Sequence, residues 1–240
     1  MKKIKIVIST VIVLSLLMVN CFNSDAQIDN DFNIPPTSSH FFQLQNNSSD
    51  VEDYTRQLIY PKREFRCAWI ATVHNIDYPS NTGLSVNTLK NEFIALLNKL
   101  KKAGINAIFV QIRPSCDAFY NSPYEPWSEW LTGTQGVAPA GNFDPLVFMI
   151  EEAHNRGIEF HAWLNPYRAV VSTGSSSISS NHISVTQPSW CVTYNSLKIL
   201  NPGLPQVRDY VTNIVADIVS RYDIQGVHFD DYFYPYPSGG

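Results

Sequence analysis

The sequence predicts an α/β fold on a parallel sheet: the TIM (β/α)8 barrel, truncated here to about its first four β/α units. Four apolar runs alternate with segments of helical spacing, in the order β-α-β-α-β-α-β. The runs are continuously apolar, as strands covered by helices are. The helix-to-strand joins are tight, at Ala103-Gly104, Arg156-Gly157 and Tyr222 to Gly226, whereas the strand-to-helix loops are long. In a barrel the loops after the strands build the site. A doubly wound sheet is the alternative, but no Gly-rich phosphate loop follows the first strand.

The first strand is read at Arg66–Val73. A helix over Val86–Ala103 follows, with Leu89, Phe93, Leu96, Leu97 and Leu100 on one face and Gly104 as its stop. Ile105–Ile112 is the second strand, followed by a long loop over Arg113–Asn142. Asp144-Pro145 is a good helix start, and that helix runs to Arg156 before Gly157. Ile158–Leu164 is the third strand, and a long Ser-rich loop spans Asn165–Pro202. Pro205–Tyr222 is the third helix, with Val207, Tyr210, Val211, Ile214, Val215, Ile218 and Val219 on its apolar face. Gly226–Asp230 is the fourth strand, and the sequence reads Pro237-Ser238-Gly239-Gly240 where a fourth helix would begin. A complete barrel needs about 250 residues, so residues 63–240 are read as its N-terminal half. A small complete open-sheet domain is the alternative.

Residues 1–26 read as a signal peptide. Lys2, Lys3 and Lys5 precede an apolar run over Ile6–Val19, and Ser24-Asp25-Ala26 supplies the small residues of a cleavage site. The run is shorter than the roughly 20 residues needed to span a bilayer. Soluble export is preferred to a lipid anchor at Cys21, because Asn20 stands where a small residue is expected. Either route places the protein outside the cytoplasm, in the periplasm or cell envelope. Residues 27–62, rich in Asn, Ser, Asp and Gln, read as a flexible polar linker.

Hydrophobic residues are 44% and charged ones 16%, which excludes a disordered chain. The net charge of -4, with no basic run in the body, argues against nucleic acid as a partner. Cys67, Cys116 and Cys191 show no C-x-x-C spacing, so no zinc-cysteine site and no cofactor is expected.

All four strands end in polar groups, which points to one polar pocket. The first leads to Asn75 and Asp77, the second to Gln111 and Arg113, and the third to His161, Trp163, Asn165, Tyr167 and Arg168. The fourth carries His228, Asp230, Asp231 and Tyr232. Glycoside hydrolysis needs two carboxyl groups flanking the scissile bond. Adjacent strand residues face opposite ways, so Asp230, on the face of His228, is the favoured catalytic carboxylate. Asp231 begins the loop, where it orients a sugar hydroxyl or replaces Asp230 if the strand end twists. The plain alternative for either is a capping Asp. Arg113 and Arg168 suit a substrate carboxylate, or equally an ion pair in the barrel mouth. His161 and His228 suit sugar hydroxyls, or a core role. Trp127 and Trp130 suit a sugar face, with loop packing slightly favoured, and Glu125 and Glu129 suit a catalytic acid, with the role of solvated loop residues favoured.

Four ordered blocks then carry a resemblance. They are Arg113-Pro114 with Asp117-Ala118, Pro126-Trp127-Ser128 and Leu131-Thr132-Gly133; Phe160 through Arg168; Leu200-Asn201-Pro202-Gly203 with Val207-Arg208-Asp209-Tyr210; and Gly226 through Pro235. Together they resemble the bacterial glycosyl-hydrolase-like ten family of exported TIM barrels, from about Arg63 to Gly240. The resemblance implies a glycan hydrolase. Some members are outer-membrane lipoproteins that cleave peptidoglycan strands stripped of peptides, so that glycan is the expected substrate. The family barrel has strands five to eight, where a second carboxylate would lie, so this chain is read as half a site. Two other function classes remain open. One is a metal-dependent hydrolase or deacetylase using His161, His228 and Asp230. The other is a glycan-binding protein that cuts nothing.

Overall fold

The computed structural model describes residues 64–176 and 178–230. The signal peptide and linker readings, and the positions of Asp231 and Tyr232, lie outside the described residues.

Strands β1 (Cys67–Ile70), β2 (Ala107–Arg113) and β3 (Glu159–Leu164) lie side by side, joined by a later strand, β7 (Gly226–Phe229). Every pairing in this sheet is parallel, and the order β1-β2-β3-β7 repeats the chain order of the expected strands. The connections are helical: α1 (Val86–Lys102), α3 (Pro145–His154) and α5 (Pro205–Arg221). A single turn, α2 (Glu129–Thr132), sits between β2 and α3.

Local chemistry sets the helix ends. Ser85 caps α1 by accepting the Thr88 N–H, and Asp144 caps α3 by accepting those of Leu146 and Val147. Pro145 and Pro205 open α3 and α5 without sacrificing a hydrogen bond. Gly104 and Gly157 take positive φ values of 80° and 63° beyond the ends of α1 and α3, where a side chain would be strained. The helices press Leu89, Phe93, Leu97, Met149, Ile150, Ala153, Ile214 and Ile218 onto one face of the sheet. That face presents Ile70, Ile108, Val110, Ile112, Phe160, Ala162 and Leu164, and β2 is buried along its whole length. The central strands therefore read as unbroken apolar runs.

The segment Asn165–Pro202, expected as a loop, contains a second sheet. Strands β4 (Arg168–Val170), β5 (Cys191–Tyr194) and β6 (Leu197–Leu200) pair antiparallel in the order β4-β6-β5. Asn195 at φ 54° turns β5 into β6, a conformation Asn tolerates better than most residues. A helical turn, α4 (Ile183–Thr186), closes over it. Val170, Ile183 and Leu200 share a small core with Cys116, Ala169 and Val207. Burial of these few side chains outweighs the Ser-rich stretch at 174–180 that makes the segment look unstructured.

The other face of the parallel sheet is aromatic. Trp69 stacks on Phe109 with ring centroids 5.1 Å apart, and the His161 and His228 rings lie 4.9 and 4.8 Å from Phe109. Register places His161 opposite Gly226, and the ring covers that glycine. A Cβ at position 226 would lie 2.5 Å from His161 Nδ1. A larger residue there would force the His161 ring to shift.

Gly226→Ala should therefore destabilise the fold by roughly 1–3 kcal/mol through overpacking. The check is a lower urea midpoint than wild type. His161→Ala in the same chain should recover most of the loss.

Candidate active site

Asp230 follows β7 directly, at the carboxyl end of the parallel sheet. As alternation requires, it shares a face with His228, and Trp163 pairs with His228 across β3. The Trp163 indole N–H donates to Asp230 Oδ2 at 3.2 Å. Asn165 Nδ2 donates to both carboxyl oxygens, at 3.3 and 3.2 Å. The Asn165 amide has one orientation open to it. Its Oδ1 already accepts the backbone N–H groups of Arg168 at 2.7 Å and Tyr167 at 3.3 Å, so its NH2 must face Asp230.

Burial raises the Asp230 pKa, against the lowering effects of the Trp163 bond, the Arg168 charge, the Asn165 bond and His228. Arg168 itself is shifted down by burial, with Asp230 acting in the opposite sense, and its Nε donates to the Pro114 carbonyl at 2.9 Å. His228 Nε2 accepts the Trp69 indole N–H at 3.2 Å. Asp230, Asn165, Arg168 and His228 are thus brought together as the sequence suggested. Trp163, a strand-end residue to which the sequence assigned no role, joins them. Its place two residues before Asn165 on the same strand face was the available signal.

The other predicted residues serve the frame. Arg113 is fully buried and bound to Glu125, with Nε at 3.0 and 2.8 Å from the two carboxylate oxygens and Nη2 at 2.6 Å. Its Nη1 donates to the Asn165 carbonyl and its Nη2 to the Cys116 sulfur. The ion pair open in the sequence is the arrangement found. Glu125 is correspondingly no solvated loop residue: its side chain is wholly buried, because a desolvated guanidinium requires an anion. Gln111 turns its Oε1 to the N–H groups of Thr72 and Val73. Asn75 donates to the Trp130 carbonyl, and Asp77 accepts the Ala71 N–H, so both brace the loop after β1. His161 bonds Glu159 and packs on Phe109. Trp127 packs against the main core and Tyr167 against the smaller one. Among the described residues, no group of three or more His, Cys, Asp or Glu side chains is arranged to hold a metal ion.

A second buried carboxyl, Asp117, accepts from the Ser115 N–H and from Gln135 Nε2, both at 3.1 Å. Burial pushes its pKa up to about 6, against the bonds from Gln135 and Ser128. Gln135 Oε1 accepts the Ser179 N–H, and His182 Nε2 meets the Ser115 carbonyl, so this network ties the loop after β2 to the segment before α4.

A parallel sheet whose strand ends gather a carboxyl group, an amide, an indole and an arginine defines a class: α/β proteins with a strand-end site centred on a carboxyl rather than on a phosphate-binding loop. Within that class the chain belongs to the Glycosyl hydrolase-like 10 family, which it matches over residues 64–240. The resemblance carried by the four sequence blocks is thereby borne out. The chain is 50% identical over 179 residues to Glycosyl hydrolase YngK of Bacillus subtilis (strain 168), an alignment covering 74% of this chain and 35% of that protein. It is 38% identical over 196 residues to Glycosyl hydrolase DigH of Escherichia coli (strain K12), covering 75% and 44% respectively. It thus spans less than half the length of either relative. Among solved structures, the noncanonic maltogenic alpha-amylase AmyB from Thermotoga neapolitana superposes with a TM-score of 0.46 at 14% identity, over 71% of this chain and 40% of that one.

Two outcomes follow for the buried charges. Arg113→Met should destabilise by roughly 3–5 kcal/mol, because it strands the Glu125 carboxylate in the interior. Adding Glu125→Gln should restore part of that loss in the same denaturation measurement. Asp117 holds its proton more tightly in the fold than at the ordinary value of 3.8. Its contribution is therefore complete below that value and is lost as pH rises through about 6. Asp117→Asn should flatten the fall in unfolding free energy across that interval.

Proposed function

We propose that this chain forms the first four strands of a (β/α)8-barrel glycoside hydrolase in which Asp230 is the nucleophile or general base. The observation that supports this is the polarity of its partners. Trp163 and Asn165 both donate to Asp230 and neither accepts from it. Donor-only partners favour a carboxylate over a carboxylic acid. An ionised group suits attack on the anomeric carbon, or activation of water, rather than protonation of the leaving oxygen. The acid is then a second carboxyl, for which Asp231 and groups beyond residue 240 are the candidates.

Family membership and Arg168 support a reading of the substrate class. We read it as a bacterial glycan, foremost peptidoglycan strands freed of peptides. Removing the peptide exposes the lactyl carboxylate of each muramic acid, and Arg168 close to Asp230 offers the matching charge. Export to the periplasm or cell envelope, as a soluble protein or anchored at Cys21, would bring the enzyme to that substrate.

The test is product release from peptide-free glycan strands by the full-length protein. Asp230→Asn should lower kcat by about a thousandfold or more, with substrate still bound. A variant at wild-type rate would exclude Asp230 from the chemistry. The base or nucleophile must be ionised, so activity should fall as pH drops through the Asp230 pKa. Burial places that acid limb above the usual aspartate value.

A further inference from the structure

We infer that Glu125, through Arg113 and Asn165, is a positioning residue for Asp230. The inference rests on Asp230 being the working carboxyl. Asn165 lies just past the end of β3, outside the regular ladder, and the β2–β3 register shifts between Gln111 and Arg113 beside it. Sheet pairing alone therefore leaves its backbone weakly specified. Arg113 supplies the missing constraint from both sides. Its carbonyl accepts the Asn165 N–H at 3.0 Å, and its guanidinium donates to the Asn165 carbonyl. Both peptide groups flanking the Asn165 Cα are thereby held, and the side-chain amide has one direction in which to point.

The guanidinium is held in turn by Glu125. That carboxylate accepts from Arg113 Nε and Nη2, and its Oε1 also accepts the Tyr210 hydroxyl at 3.0 Å from α5. Bidentate contact fixes the plane of the guanidinium as well as its place. The route from α5 to the strand-end carboxyl is continuous: Tyr210, Glu125, Arg113, Asn165, Asp230. Glu125 and Arg113 are fully desolvated along it, so neither has water as a substitute partner. Without the carboxylate, the guanidinium loses its plane, Asn165 loses its anchor, and Asp230 loses a donor to both of its oxygens.

A merely structural Glu125 would support the fold and leave the chemistry of folded molecules unchanged. The two roles separate in a double-mutant comparison on the full-length protein, with peptide-free glycan strands as substrate. Glu125→Gln should lower kcat per folded molecule roughly ten- to a hundredfold, with KM changed by less than about twofold. In an Asn165→Ala background the same substitution should have almost no further effect, because the path is already cut. Equal fold losses in both backgrounds, or unchanged kcat with only a lower Tm, would overturn the inference. If Glu125→Gln yields no folded protein, Tyr210→Phe replaces it, since it removes one bond to Glu125 and leaves the ion pair. That variant should lower kcat about threefold with Asn165 present and not at all in the Asn165→Ala background. Equal losses again overturn the inference. Asp230→Asn at wild-type rate overturns both this inference and the functional reading. An inactive Asp230→Asn with additive losses at positions 125 and 165 overturns the positioning role alone.

Discussion

The Arg113–Glu125 pair is the constraint on which the arrangement at the strand ends depends. It joins the end of β2, the loop that follows it, the first residue after β3 and helix α5. An isolated charge at that depth would oppose folding by several kcal/mol. Together the two charges satisfy one another, and the remaining donors find a carbonyl and a thiol. Such a pair adds little net stability over well-packed apolar side chains. What it supplies is direction, since a guanidinium gripped at two points can hold a backbone carbonyl in one place. The long loop after β2 is consequently part of the frame.

The sheet divides its labour between two faces. One is covered by α1, α3 and α5 and carries the aliphatic core. The other carries Trp69, Phe109, His161, Trp163 and His228 in ring contact, and leads at its carboxyl end to Asp230. The division follows from the two-residue period of a strand, so a single-residue slip of β7 would exchange His228 for Val227 and remove Asp230 from Trp163. Gly226 under the His161 ring opposes that slip, because any side chain brought there would have to displace the ring.

The parallel strands and their helices were legible because the runs are continuously apolar, most of all in β2 and β3 where both faces are covered, and because Asp144-Pro145, Gly104 and Gly157 mark helix ends. The grouping of Asp230 with His228 was legible from alternation alone. The antiparallel sheet was hidden because its strands are three or four residues long and only half-buried, too short for a period to register. The role of Arg113 was half legible: two outcomes were open, and the identity of the anion decides between them. Glu125 lies in a turn-rich stretch, and nothing local distinguishes a solvated glutamate from one drawn inward by a distant guanidinium. Family membership came from four ordered blocks, each combining strand-end residues with the turn that follows.

Trp163 has a consequence of another kind. Its indole is hydrogen-bonded to Asp230 and lies 6.2 Å, centroid to centroid, from the His228 ring. Indole emission responds to the local electric field. A change of charge on Asp230 is therefore written into the emission of Trp163, which can be followed without a label once the other four tryptophans of the chain are replaced by phenylalanine.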